Sequence, residues 1–403
     1  MNKIAFIDNY FPYLSTTFIY QEVLGIKNMG IPIKTYSIRK PTSSQIPKEC
    51  LELYHTTKYL IPINISSFIT ANLYFIVKSP IKYFDLIIFL LKRKYEKNVI
   101  DRVRTIFHFF EGVYLAKLIK NENDISHIHA HQASHPCTLA LVAAELNQIT
   151  FSFTAHANDI WVDKLYISDK VNRAKFVITC TNYGRNFIIN ENSIENPDKI
   201  STIYHGVDTN KFKNIKQNKN NSIFTILNIG RLSEEKGQKN LIMACKELRD
   251  NGYVFKCIIV GDGPHRSILS KLIEQYDLKE MIILVGEVFQ EDIIEYYRNA
   301  DLFVLTSIRE NLPNVLLESQ SMGIPVIAPN IAGIPELIQN DYNGILIPPN
   351  NITAIVNSIK DIFNNKEKLR MFSENGRNTV CTHFKQNDSI LKILNLYRKQ
   401  KVI

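Results

Sequence analysis

The sequence has no cysteines close enough together to share a metal ion. Cys50, Cys137, Cys180, Cys245, Cys257 and Cys381 are scattered, with no Cys-x-x-Cys, and most sit in apolar runs. That spacing excludes a cysteine metal cluster and describes buried, reduced thiols. Apolar runs are also short. None reaches the ~18 residues of a membrane span, and the opening MNKIAFIDNYFP lacks the ~7–15-residue apolar core of a secretory leader. The expectation is a cytoplasmic chain. Glycine is missing where a dinucleotide site would need it. The loop after the first apolar strand, residues 8–17, contains none, which excludes a dinucleotide fingerprint there. The later Gly261-Asp-Gly-Pro264 has Arg266 in place of the third glycine, so it reads as a tight strand–helix turn. There is no low-complexity tract or internal repeat, no nucleic-acid-binding motif, and no carboxylate pair set out as in a glycoside hydrolase.

What is present is an ordinary globular composition, 45% hydrophobic and 22% charged over 403 residues. This length suffices for two or three domains with real cores. The formal charge of +9 favours anionic partners, among them nucleotide diphosphates, anionic lipid headgroups and nucleic acid.

The most informative stretch is Thr306 to Pro329, TSIRENLPNVLLESQSMGIPVIAP. Leu302 to Thr306 reads as a buried parallel strand. Glu310 follows in a loop, then a helical pattern from about Pro313 to Met322 that contains Glu318, then Gly323 as a left-handed cap. Pro325 to Ala328 is the next strand. Ligands of open α/β sheets bind beyond the carboxyl ends of strands, and a helix N-terminus suits phosphate. Two acids around such a helix end suggest a ligand with both phosphate and hydroxyls, that is, a nucleotide sugar. Two carboxylates eight apart are common on solvated surfaces. The strand–loop–helix–Gly–x–Pro–strand frame is what distinguishes this pair.

The same logic applies upstream. Phe224 to Arg231 reads as a strand ending in Gly230-Arg231, and Gly237 opens a helix to about Asp250. Arg231 and Lys236 thus flank a helix N-terminus, a strong diphosphate site. Strands follow at 255–260, 281–285 and 344–348, with a helix at 291–299. The chain closes in helices at about 351–364, 366–381 and 386–400.

The first half opens with a βαβ pattern: Lys3–Ile7, a helix from Phe18 to Met29, and Ile33–Ile38. Ser15 and Thr17 precede the helix and read either as phosphate or acceptor contacts or as its N-cap. Residues 60–118 read as helical. They interleave apolar residues with Lys78, Lys82, Lys92, Arg93, Lys94 and Lys97, which fits either an anionic membrane surface or a core-packing pair with a solvated basic face. His127, His129 and His131 alternate along a strand and so share one face. Zinc is an option there, but no acidic or cysteine partner is near in sequence. Phe151 to Thr154 reads as a strand, with His156 and Asp159 in the loop at its carboxyl end, a position that favours function. The polar, basic run at 211–222 reads as a linker.

These motifs resemble those of the retaining family 4 glycosyltransferases. The carriers of the resemblance are Glu310-x7-Glu318, Gly230-Arg-Leu-x-x-x-Lys-Gly237, Thr154-x-His-x-x-Asp-Ile160 and His205-Gly-Val-Asp208. The loop Phe11-Pro-x-x-Ser15-x-Thr-Phe18 resembles the subgroup acting in exopolysaccharide and colanic-acid-type assembly. In that subgroup His-x-His is scaffold. The resemblance implies a GT-B fold of class α/β: two Rossmann-like parallel-sheet domains facing a central cleft, with a C-terminal helix crossing back to the first domain. It implies an acceptor domain at 1–210, a linker at 211–222, a nucleotide-sugar domain at 223–385 and the crossing helix at 386–403.

It further implies retaining transfer from a UDP- or GDP-sugar to a growing, lipid-linked cell-surface glycan. His156, Glu310, Arg231 and Lys236 would be catalytic. Gly230, Gly261, Val288, Asn311, Leu312, Asn314 and Glu318 would join Arg231, Lys236 and Glu310 around the donor. Ser15, Thr17 and Asp159 would face the acceptor. Fixed cations would replace a metal, so no cofactor is expected. The residue after the first acid is usually glycine in this family, and Asn311 stands there as a residue tolerant of left-handed backbone. Two other readings share the features: a GT-B nucleotide-sugar 2-epimerase, whose single soluble substrate fits poorly with the greasy basic segment, and a non-catalytic nucleotide-sugar-binding protein.

Overall fold

The computed structural model describes residues 3–42, 46–92, 99–122, 124–161, 166–213, 223–289 and 292–403. The chain divides into two units. The first comprises Met1–Ile203 with Ile390–Ile403, and the second Tyr204–Ser389.

The first unit is built on a seven-stranded sheet of order β3-β2-β1-β4-β5-β6-β7. The strands are β1 (Lys3–Tyr10), β2 (Ile33–Arg39), β3 (Lys58–Ile61), β4 (Ile125–His131), β5 (Thr150–Ala155), β6 (Val177–Thr179) and β7 (Ile200–Thr202), all paired in parallel. Both faces of such a sheet are covered by helices, so its central strands are buried along their length. In β1 the run Ile4–Ile7 is buried without alternation. β3 corrects the expectation that the helical segment begins at residue 60. An edge strand of four residues is too short to show a period of two.

The second unit has a six-stranded parallel sheet of order β10-β9-β8-β11-β12-β13. Its strands are β8 (Phe224–Ile229), β9 (Phe255–Val260), β10 (Ile282–Gly286), β11 (Leu302–Val304), β12 (Val326–Pro329) and β13 (Ile345–Ile347). In each sheet the winding reverses once, between β1 and β4 in the first and between β8 and β11 in the second. Such reversals open a crevice at the carboxyl ends of the strands, where ligands of doubly wound folds bind.

The last helix, Gln386–Lys399, begins in the second unit and ends in the first. Ile390, Ile393, Leu394 and Tyr397 join one buried cluster with Ile4, Tyr20, Val23 and Phe176. Gly25 makes room for this helix, since a Cβ there would come 2.1 Å from Cδ1 of Ile390. Five cysteines are buried and Cys381 is half-buried, and none is in a disulfide.

Between β3 and β4 run helices Ile65–Lys78, Pro80–Lys92 and Val99–Lys120. The first two each bury one face, through Ala71 and Phe75 and through Tyr83, Leu86 and Leu90. Their outward faces are apolar as well: Ile65, Ile69, Leu73 and Val77 on one, Ile81, Phe84, Ile88 and Leu91 on the other are all exposed. Arg93, Lys94 and Lys97 lie outside the described residues, as do Glu291 and the linker from residue 214 on. Among the described residues no helix is long and apolar enough to cross a membrane.

Candidate functional site

In the second unit the expected residues converge on the reversal between β8 and β11. Gly230 and Arg231 follow β8, where the sequence places the strand's end, and a short 3-10 turn, Glu234–Lys236, leads into the helix Gln238–Asp250. Gly237 joins the two with φ +63°, and a Cβ there would meet the carbonyl oxygen of Thr306 at 2.2 Å. That contact brings the β8 loop against the β11 loop. The amide of Ile308 donates to the carbonyl of Glu235 at 2.8 Å, and Oγ1 of Thr306 donates to the carbonyl of Lys236 at 3.2 Å. The seam fixes Lys236 beside Glu310: the ammonium donates to Oε1 of Glu310, and Oγ of Ser307 donates to the same oxygen at 2.8 Å. The carboxylate side chain is 11% exposed and the lysine side chain 25%. Each ion is thus largely withdrawn from water but charge-compensated. Arg231 is exposed beside them.

Glycines shape the floor of this site, for two distinct reasons. A Cβ on Gly261, at φ +132°, would sit 2.1 Å from the carbonyl oxygen of Gly230, and the Gly261 amide donates to the Gly286 carbonyl at 2.8 Å. The loops after β8, β9 and β10 therefore stack backbone on backbone. Gly230 is different, because a Cβ there would meet nothing nearer than 3.8 Å. Packing within the unit does not require glycine at 230, which leaves close approach by a ligand as its physical use.

Beyond β11, Leu312 and Asn311 are buried and Asn314 begins the helix Asn314–Ser321. Glu318 lies inside that helix, 7% exposed, and Oε2 accepts from the Tyr297 hydroxyl at 2.7 Å. Val288 is half-buried after β10. Three local expectations are corrected. Asn311 is not among the residues with positive φ, so the turn after Glu310 does not demand a left-handed residue. Pro313 caps the helix from outside rather than opening it. Gly237 precedes its helix as the cap. Gly323 does adopt the left-handed conformation, φ +70°.

In the first unit the three strand histidines are internal. His127 and His129 are fully buried. His127 bonds Thr150 and Ser152 at 2.7 Å each, and His129 bonds Ser152 at 2.8 Å and Thr154 at 3.0 Å. This imidazole–hydroxyl ladder joins β4 to β5. Burial pushes His127 down to about 3 and His129 well below its ordinary value, so both are neutral and their ring nitrogens are already engaged.

His156 follows β5 and lies against Phe18 (centroids 4.9 Å) and His131 (5.7 Å), and burial pushes it down to about 3. Asp159 holds this loop. Its carboxylate accepts from the amides of Ala133 (2.7 Å), His156 (3.1 Å) and Ala157 (2.7 Å), tying the loops after β4 and β5 together. Thr17 is the first residue of its helix. The cap is Thr16, without a side-chain bond to the helix, so neither expected residue caps it. The side chain of Ser15 lies outside the described residues.

Sequence reasoning missed several groups here. Asp8 at the end of β1 is buried and raised by burial to about 7. Glu111 is fully buried, bonds Nε2 of His135 at 2.7 Å, and is raised by burial to about 7 against the pull of Arg39. His108 stacks on His135 with centroids 3.5 Å apart. Ser307 and Tyr297 were missed in the second unit. The spacings His108-x-x-Glu111 on one helix face and Ser307-x-x-Glu310 in one loop were the legible signals. Tyr297 meets Glu318 across 21 residues.

A doubly wound parallel sheet, with a lysine–carboxylate pair and an exposed arginine at its reversal, defines an α/β protein with charged groups where ligands of such folds bind. Residues 209–379 match the Glycosyl transferases group 1 family, and residues 91–211 match Glycosyltransferase Family 4. The chain thus carries a glycosyltransferase group 1 domain and a family 4-type domain, and its two Rossmann-like parallel-sheet units make up a GT-B fold. WcaL of Escherichia coli K12, assigned to colanic acid biosynthesis as a glycosyltransferase, is 33% identical over 39% of this chain and 40% of its own length. The Escherichia coli UDP-Gal:alpha-D-GlcNAc-diphosphoundecaprenol alpha-1,3-galactosyltransferase is 29% identical over 71% of this chain and 78% of its own. The crystal structure of Anabaena HepE in complex with UDP superposes with a TM-score of 0.75 over 99% of this chain and 100% of that one, at 16% identity.

Proposed function

We propose that the chain is a retaining glycosyltransferase that moves a sugar from a UDP- or GDP-sugar to a lipid-linked precursor of a cell-surface glycan, at the inner face of the plasma membrane. The observation that carries the proposal is the Lys236–Glu310 pair beside Arg231 at the β8/β11 reversal, with Gly230 left open above it. Arg231 and Lys236 neutralise the charge that builds on the departing diphosphate, which is where an oxocarbenium-like step needs help. They do this without a metal ion. Glu310 accepts from donor-sugar hydroxyls once Lys236 turns to the phosphate, and Glu318, held by Tyr297, takes the ribose. Asn311, Leu312, Asn314, Gly261 and Val288 complete the donor surroundings. In the first unit the residue proposed for catalysis is His156. Its neutral ring can donate or accept a hydrogen bond but carries no charge.

Of the supporting relatives, one is named for colanic acid biosynthesis and another for a UDP-sugar donor and a diphosphoundecaprenol-linked acceptor. The test is a thermal-shift panel of UDP- and GDP-sugars. A donor at ~100 times its dissociation constant adds ~2.7 kcal/mol. A shift for one donor that vanishes in Arg231→Ala with Lys236→Ala supports the reading. No shift with any of them sinks it.

A further inference from the structure

Two helices of the first unit bury one apolar face and expose another. In Ile65–Lys78 the buried Ala71 and Phe75 oppose Ile69, Leu73 and Val77; in Pro80–Lys92 the buried Tyr83 and Leu86 oppose Ile81, Phe84 and Ile88. At 100° per residue these sets fall on opposite sides of each helix. Val77 is 75% exposed and Ile81 77%. An outward apolar face of this extent exceeds what a surface helix in water normally shows. Each helix has only 14 or 13 residues, about 20 Å of rise, against the ~30 Å needed to cross a bilayer. A face of this kind can lie on a membrane but cannot span one.

The charges around it indicate which surface. Lys78, Lys82 and Lys92 are exposed on the same two helices, and Asp85 is the only acid between residues 62 and 92. A shallow groove beside the second helix is lined by Lys82, Asp85, Leu86, Phe89, Glu145 and Arg173. Arg173 is already paired there with Glu145, so the net attraction comes from the three lysines. A second copy of the chain would bring like-charged lysines together. An anionic bilayer would meet the lysines with headgroup phosphates and the apolar face with acyl chains.

We infer that the helices Ile65–Lys78 and Pro80–Lys92 form a docking surface for anionic lipid, with the outer stripe inserted to the acyl boundary and the lysines at the headgroups. This deepens the proposed function by naming the surface that brings the enzyme to a lipid-linked acceptor. It does not depend on the donor chemistry.

The experiment is flotation of the full chain with vesicles of phosphatidylglycerol and phosphatidylcholine, against phosphatidylcholine alone. Binding to the anionic vesicles is expected. Ile81→Glu with Phe84→Glu should abolish it. Lys78→Glu with Lys82→Glu and Lys92→Glu should weaken it about a hundredfold. These side chains are exposed, so each variant should keep the wild-type melting temperature and the donor-induced thermal shift. The inference is overturned if the wild type does not float with anionic vesicles or if the glutamate variants float equally well. It is also overturned if sedimentation shows a dimer that Ile81→Glu dissociates. Failure of the donor reading would show instead as a missing thermal shift in a protein that still floats.

Discussion

The two units solve one architectural problem with opposite chemistry. Each is a parallel sheet wound both ways from a central reversal. In the first, titratable groups are held inside the protein, His127 and His129 along β4 and Asp159 beyond its carboxyl end, with Asp8 in β1 and Glu111 on a covering helix also buried. In the second, the carboxyl end of the reversal is lined by glycines, an exposed arginine and a compensated lysine–glutamate pair. Internal hydrogen bonds between imidazole and hydroxyl stiffen a scaffold because neither partner keeps access to water. Glycines and fixed cations leave backbone and charge available to an outside molecule. The difference shows why histidine-rich sequence can be architecture while a sparse Gly-Arg and a lone lysine carry the proposed site.

The comparison breaks most severely at the cations. Arg231→Ala with Lys236→Ala should lower turnover with the identified donor by about a hundred- to a thousandfold, while the melting curve stays cooperative; unchanged turnover would remove the second unit from the chemistry. Next come the glycines. Gly261→Ala forces a Cβ onto the Gly230 carbonyl and should cost about 3 kcal/mol in urea unfolding. Gly230→Ala has room and should stay within about 0.5 kcal/mol of the wild type, yet lose the donor thermal shift. If both behaved alike, the distinction between a packing glycine and an approach glycine would fail.

In the first unit, His129→Ala removes a fully buried ring, takes away the bond to Thr154 and leaves Ser152 bonded to His127 alone. A loss of about 3 kcal/mol is expected, again read from urea curves.

The smallest effect is on pH dependence. Buried imidazoles titrate below their ordinary range, His127 and His156 near 3. The unfolded chain protonates them first, so their stability is complete above about 6.5 and is lost as pH falls towards 3. The buried carboxyls have the opposite sign. Asp8 and Glu111 are raised to about 7 and Glu22 to about 8, so their stability is present below about 4 and is lost as pH rises through 7 to 8. Stability should therefore peak near pH 6.5, and Glu111→Gln should flatten the alkaline limb. An unchanged limb would show that Glu111 ionises freely in the folded protein.

Much of this was legible because the signals are local. Leu302–Thr306, Glu310, Gly323 and Pro325 lie within one strand–loop–helix–strand unit, where each residue's role follows from its neighbours in the chain. The His156–Asp159 loop was legible for the same reason, although Asp159 turned out to hold backbone amides. Asn311 was misread because a familiar glycine position suggested a backbone conformation that the turn does not need.

The sequence by itself determined the alternation of strands and helices, the position of the loops after β8 and β11 and the amphiphilic character of residues 65–92, since periodicity and end signals are properties of neighbouring residues. Only the tertiary structure decided that Lys236 grips Glu310 74 residues away, that Tyr297 pins Glu318, that the histidines bond a neighbouring strand, and that the second apolar face of two helices stays uncovered. Those outcomes depend on which surfaces meet, and long-range contact leaves no trace in the order of residues along one chain.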